Sequence, residues 1–163
     1  MAPLPSDSEL SPWRVILRFK NADPETATAV IVFRAFLMVL DMLTFSDDSF
    51  VINGQEIIVD LKGVPYAYVA QVPPTFLKKV INLAIHSYPS RIKSVYYVSV
   101  PAFIQAILNI LLSLLPEKLK SRVHMFSEKE TVNLHKFVPR SILPEEYGGD
   151  AGPFNELSSN SKA

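Results

Sequence analysis

The 163-residue sequence has no cysteine, so neither a disulfide framework nor thiolate chemistry is available to it. Glycine is nearly as scarce. The five glycines, at 54, 63, 148, 149 and 152, complete no GxGxxG and no P-loop, which excludes both phosphate cradles of nucleotide-binding sheets. A GxSxG elbow is also missing, and with it the ordinary α/β-hydrolase reading. The three histidines, His86, His124 and His135, lack metal-ligand spacing. His86 follows a helix face, where it either orients a polar ligand group or occupies an ordinary core or surface position. The acid pairs Asp47-Asp48 and Glu145-Glu146 fall in expected loops. No catalytic constellation emerges, so the expectation is a binding protein rather than an enzyme, with no metal and no cofactor. Basic residues are not interleaved with aromatics in any nucleic-acid module, so no nucleic acid partner is expected.

The opening Met1-Ala2-Pro3-Leu4-Pro5-Ser6-Asp7 has no basic start and no apolar core of a signal peptide. Cytoplasmic localisation is the simplest reading. Two stretches invite a transmembrane test. Residues 27–43 carry Arg34 and Asp41, each costly at a bilayer centre, and residues 102–115 fall short of the ~20 needed to span. The chain is therefore expected not to be transmembrane.

What the sequence has in excess is grease: 48% hydrophobic residues, only 20% charged, and a mean hydropathy of +0.20. Such a chain can offset its ordering entropy by burial. A large core, a hidden ligand cavity and a membrane-facing surface are the three possible destinations. The zero net charge conceals segregation: residues 1–77 carry −4, residues 78–140 carry +7 and the remainder −3. A basic middle in a neutral chain suits an anionic partner, although scattered surface charge would give the same count.

Residues 1–12 read as a flexible lead. The run Trp13-Arg14-Val15-Ile16-Leu17-Arg18-Phe19 reads as a strand. Asp23-Pro24-Glu25 supplies a helix start for a long apolar helix to about Leu43. After the Asn53-Gly54 turn, residues 56–61 read as a buried strand, 75–87 as an amphipathic helix ended by Pro89, and 92–100 as the strongest strand. Pro101 opens a helix over 102–115, Pro116-Glu117 a short one to Arg122, and Val123-His124-Met125-Phe126 is a further strand. Ser127-Glu128-Lys129-Glu130 then caps a last short helix. This alternation predicts an α/β fold with a mainly parallel sheet reached by right-handed crossovers.

The 102–115 helix is unusually apolar. Its polar residues Gln105, Asn109 and Ser113 form one i, i+4, i+8 stripe, and the rest is Ala, Ile, Leu or Phe. A helix buried between two layers accounts for this; so does a lid whose inner face seals a ligand cavity and whose outer face touches lipid. Arg91 and Lys93 upstream and Lys118, Lys120 and Arg122 downstream favour the lid. About ten buried methylenes of a lipid tail would contribute roughly 8 kcal/mol. Each basic group near an anionic leaflet adds about 1 kcal/mol, enough for reversible docking.

Asn53-Gly54 with Val59-Asp60-Leu61-Lys62-Gly63, Lys78-Lys79, Tyr88-Pro89-Ser90-Arg91-Ile92-Lys93, Pro101-Ala102-Phe103, the run 117–124 and Leu143-Pro144-Glu145-Glu146-Tyr147-Gly148-Gly149 occur in an order that resembles the CRAL-TRIO lipid-binding domain, in its branch of tocopherol and retinaldehyde carriers. The resemblance covers residues 13–155, leaves 156–163 as a flexible tail, and does not take in the helical domain that precedes this lobe in the family. It implies a sheet floor, a hydrophobic cavity above it, and a helical gate over about residues 101–122. It further implies a pocket lined by Phe33, Phe36, Leu40, Ile57, Val59, Val80, Leu83, Ile92, Val95, Phe103, Ile107 and Leu111, each of which is otherwise ordinary core. Phe36 and Leu40 stand where the tocopherol carrier has small hydroxyl residues, which implies a narrower, drier pocket. A phosphoinositide-binding set is implied at Arg91, Lys93, Lys118 and Arg122, coupling membrane contact to ligand release. The expected function is transfer of a tocopherol-, retinoid- or other isoprenoid-like lipid between membranes by a cytoplasmic, reversibly membrane-associated protein. The alternative is a phosphoinositide-sensing regulatory module with a reduced or empty pocket.

Overall fold

A computed structural model of the chain describes residues 1–19, 23–83 and 91–160. Five strands form one sheet in chain order: β1 (Ala2–Pro3), β2 (Trp13–Arg18), β3 (Gln55–Asp60), β4 (Ile92–Val98) and β5 (Val123–Met125). β1 runs antiparallel to β2, and the other three pairings are parallel. The fold is the expected α/β architecture, a mostly parallel sheet flanked by helices.

Strand order equal to chain order has a topological consequence. Each parallel step needs a crossover, crossovers are right-handed, and three that advance in the same direction lie on the same face. They are built from α1 (Ala29–Ser46) and α2 (Asp48–Asn53), from α3 (Tyr66–Ala70) and α4 (Pro74–Asn82), and from α5 (Ala102–Ser113) and α6 (Glu117–Lys120). The opposite face is left to the C-terminal segment: 3₁₀ turns at Glu128–Lys136, Arg140–Ile142 and Glu145–Tyr147, then α7 (Phe154–Asn160).

The C-terminal face is densely packed. Alternate strand residues Ile16, Ile58, Tyr96 and Val98 meet Leu134, Val138, Ile142, Leu143, Tyr147 and Phe154, with Ala2 and Leu4 completing the cluster, and all of these are buried. A polar tie fastens it. Asp60, 4% exposed, accepts from the Tyr147 hydroxyl at 2.7 Å and from the Lys62 N–H at 2.9 Å. Arg18 lies 3.4 Å from the same carboxylate and stacks 4.2 Å over the Phe154 ring. Burial, reinforced by Asp60, pushes the Tyr147 phenol far above its ordinary range. The turn after Tyr147 requires glycine twice: Gly148 has φ +73°, and a Cβ on Gly149 would stand 2.0 Å from the Leu143 carbonyl.

Several local expectations change. The long helix starts at Ala29 with Thr28 as N-cap, accepting from the Ile31 N–H, not at Asp23-Pro24. Asp23 instead caps a turn, accepting from the Glu25 N–H at 3.0 Å. Gln71 holds that turn from a distance, donating to the Pro24 carbonyl at 3.0 Å and accepting from the Ala29 N–H at 3.3 Å. Asp47, read as a solvated loop acid, N-caps α2. The first residues are not wholly loose, since β1 pairs with β2 and Ala2 is buried. Residues 156–160, read as tail, continue α7, with Leu157 against the core. The segment after Ser127 is 3₁₀ rather than α, with the expected capping box at Ser127 and Glu130. Residues 84–87 of the amphipathic helix, His86, and the Tyr88-Pro89-Ser90 part of the basic motif lie outside the described residues.

Two outcomes are expected. Tyr147→Phe leaves the buried Asp60 short of a donor and lowers unfolding free energy by about 1–3 kcal/mol, read from urea melts. Burial works to raise the Glu146 carboxyl, but the Phe154 N–H it accepts at 2.9 Å and the Arg18 guanidinium hold it below its ordinary value. A depressed carboxylate stabilises the fold above its unfolded pKa of about 4.3 and loses that contribution as pH falls through the folded value. The urea midpoint therefore drops between pH 6 and pH 3, and Glu146→Gln shrinks the drop.

Candidate functional site

On the crossover face the same alternation presents Val15 and Leu17 from β2, Ile57 and Val59 from β3, Val95 and Tyr97 from β4, and Val123 and Met125 from β5. Ile92 would point away by simple alternation. A bulge at the start of β4 sets it opposite Gln55 instead, and so keeps it on this side. The four sheet residues Ile57, Val59, Ile92 and Val95 thus share one face.

The packing above them differs from that on the other face. Val15 is buried, whereas Leu17, Ile57, Val59, Ile92, Val95 and Tyr97 stay half-buried, and α5 packs over Val59 and Tyr97. Burial pushes the Tyr97 hydroxyl above the ordinary phenol range. The walls behave alike. α1 has 18 residues and buries none of them. Its Phe33, Phe36 and Leu40 are half-buried, as are Val80 and Leu83 near the end of α4, and Phe33 meets Phe76 of α4 edge-on at 5.5 Å.

α5 docks through a different stripe from the expected inward set. Ile104 and Leu108 are its buried residues, packed with Leu61, Val59, Tyr97, Val100 and Met125. Ile107 and Leu111 flank that stripe half-buried. Phe103 lies at the rim, 39% exposed, with its ring edge-on to Tyr66 at 5.6 Å. Ile110 and Leu114 are exposed on the outside of the helix.

The basic residues collect at the edge where the parallel strands begin. Arg91 and Lys93 stand at the start of β4 and Arg122 immediately before β5, and the Arg122 guanidinium donates to the Ile92 carbonyl at 2.6 Å. Lys118 is exposed on α6, one turn before Arg122. Among the described residues no carboxylate forms an ion pair with these four. Gly54 makes the edge compact, because a Cβ there would lie 2.5 Å from the Arg91 carbonyl.

Other polar features have structural roles. His124 stacks on Tyr96 at 5.3 Å and touches Phe137 on the closed face, and His135 Nε2 bonds the Tyr147 carbonyl at 2.7 Å. A separate half-open hollow of about 450 Å³ lies between the N-terminal residues and α2, lined among others by Leu4, Glu9, Trp13, Arg14 and Asp47. Its charged walls suit water better than a lipid tail. Sequence reasoning passed over Gln55 and Tyr97, which sit on the same face as Ile57 and Val95. Strand alternation alone was enough to place both there.

The CRAL/TRIO domain family model matches residues 7–149. The alpha-tocopherol transfer protein-like protein of Homo sapiens is 36% identical over 127 residues, covering 78% of this chain and 36% of that protein. Clavesin-2 of Rattus norvegicus is 26% identical over 141 residues, covering 86% of this chain and 42% of that protein. The chain thus spans well under half the length of these relatives. The crystal structure of Sfh5 matches with a TM-score of 0.69 over 96% of this chain and 57% of that one, at 17% identity, a likeness of fold.

The two sides of α5 give a direct test of how it docks. Leu108→Ala is expected to lower stability by about 2–4 kcal/mol, whereas Ile110→Ala stays within about 0.5 kcal/mol of the parent. Thermal melts of the two variants check this.

Proposed function

The chain belongs to the CRAL/TRIO domain family, and on that premise we propose that it binds a small hydrophobic lipid on the crossover face of its sheet and carries it between membranes. One observation supports this most directly: the closed face buries its apolar strand residues completely, while Leu17, Ile57, Val59, Ile92, Val95 and Tyr97 on the opposite face stay half-buried. Interiors are normally close-packed, and a lipid body would fill the difference. Ligand contacts then come from Phe33, Phe36 and Leu40 of α1, Val80 and Leu83 by α4, Ile57, Val59, Ile92 and Val95 of the sheet, and Ile107 and Leu111 of α5, with Phe103 at the mouth. Bulky Phe36 and Leu40 favour a slender isoprenoid body over a wide ring system.

α5 and α6 act as the gate in this reading. The outward Ile110 and Leu114 enter the interfacial layer of a membrane, and Arg91, Lys93, Lys118 and Arg122 meet its anionic head groups, phosphoinositides above all. α1 is the helix among the described residues long and apolar enough to cross a membrane. Its Phe33–Phe76 contact and its Arg34 and Asp41 suit a chamber wall better than a span. The family membership and the likeness to transfer proteins support carriage rather than catalysis.

The test is native mass spectrometry of the protein after incubation with mixed lipid vesicles, followed by extraction. A stoichiometric apolar adduct is expected. Vesicle binding without any adduct would instead favour a phosphoinositide-sensing module with a reduced pocket. Lys93→Ala with Lys118→Ala is expected to weaken binding to phosphoinositide vesicles at least tenfold, at about 1 kcal/mol per charge, with unfolding unchanged. Arg122 is the poorer choice for that experiment, since its bond to Ile92 makes it part of the fold.

A further inference from the structure

The long helix α1 has two different sides. Val32, Phe33, Phe36, Leu37, Val39 and Leu40 are half-buried, whereas Ile31, Arg34, Ala35, Met38, Asp41, Met42 and Phe45 are exposed. The apolar members of the exposed set, Ile31, Ala35, Met38, Met42 and Phe45, follow one another at spacings of four, three, four and three. That 3.5-residue repeat is the seam along which two helices interlock in a coiled coil. The outward face of a globular domain's surface helix carries polar residues instead. Met38 is 71% and Phe45 90% exposed, so little among the described residues covers the seam. Apolar surface arranged in this way marks a contact with another molecule.

The charges beside the seam identify what covers it. Arg34 precedes Ala35 and Asp41 precedes Met42, so both flank the seam on one side, while Val32 and Val39 on the other side are half-buried. We infer that α1 is an interface between two copies of this chain, packed antiparallel about a two-fold axis between Ala35 and Met38. In that register Ile31 meets Met42 of the second copy, Ala35 meets Met38, and Arg34 lies opposite Asp41. The axis makes every contact occur twice, and residues flanking the same side of a seam are the ones an antiparallel pair brings together. A parallel pair would set Arg34 against Val39 and Asp41 against Ser46, which offers neither charge an opposite. A helix lying in a membrane surface has a wide apolar face edged with Lys and Arg. α1 has a narrow seam, a single basic residue and an outward carboxylate, and a second copy is complementary to all three. One helix pair is small beside the roughly 1,200–2,000 Å² of stable interfaces, so the dimer is reversible. The inference is independent of the carrier reading, since lipid and second copy would occupy opposite sides of α1.

The test is sedimentation equilibrium of the whole chain from micromolar to submillimolar concentration. Reversible growth from 18.2 kDa to twice that mass is expected. Met38→Glu sets a charge at the centre of the seam and is expected to weaken association at least tenfold. Met38 is exposed in the single chain, so the thermal melt of the variant stays close to that of the parent. Because the sequence has no cysteine, single cysteines read the register directly. Ile31→Cys mixed with Met42→Cys is expected to form the mixed disulfide readily, and Ile31→Cys alone is not. The two copies of position 31 stand about 16 Å apart along the helix axis, beyond the roughly 7 Å that a bridge can span. If Met38→Glu does not fold, the cysteine pair decides. A chain that stays monomeric across the concentration range would overturn the inference and leave the seam to a different partner. A dimer indifferent to Met38→Glu would overturn it too, by lying elsewhere on the molecule. Ready coupling of Ile31→Cys with itself would overturn the antiparallel register. A monomer that instead sediments with neutral vesicles, and ceases to do so with Met38→Glu, would give the face to a lipid surface and overturn the dimer.

Discussion

Right-handed crossover is the constraint from which the rest of the molecule follows. With β2, β3, β4 and β5 parallel and in chain order, each connection must pass over the same face. The two faces of the sheet therefore receive different covers. One takes six helical pieces that each answer first to the strands they connect, and the other takes a single continuous C-terminal segment free to fit itself to the sheet.

That segment fits closely. Leu134, Val138, Ile142 and Leu143 interlock with Ile16, Ile58 and Val98, and Asp60, Tyr147 and Arg18 fix the one polar connection through it. A buried carboxylate is tolerated here because a phenol, a backbone N–H and a guanidinium all serve it. The closed face thus supplies rigidity. The opposite face leaves Leu17, Ile57, Val59, Ile92, Val95 and Tyr97 only half-buried.

The same topology explains where charge gathers. In a parallel sheet all the strands start along one edge, so residues just before or at the start of β4 and β5 become neighbours even though about thirty positions separate them in the chain. Arg91, Lys93 and Arg122 meet in this way, and α6 adds Lys118. The positive middle of the sequence becomes an edge of the molecule.

Periodicity and turn chemistry were enough to show β2 to β5, the helices α1, α4, α5 and α6, the Asn53-Gly54 turn and the Ser127 capping box, because those signals are local and repeat every two or 3.6 residues. The family resemblance grouped Ile57, Val59 and Val95, and the parallel register sets them on one face. What local signals could not reach was set by partners far along the chain. Gln71 and Tyr68 hold the turn at Asp23 and delay the helix to Ala29, a bulge brings Ile92 round to join Val95, and the sheet selects Ile104 and Leu108 from an almost uniformly apolar α5. The amino-acid order determined which segments become strand or helix and how greasy each is. The tertiary structure alone decided which apolar side chains are sealed and which stay half-open, because close packing depends on what lies opposite, and no residue carries that information in its own neighbourhood.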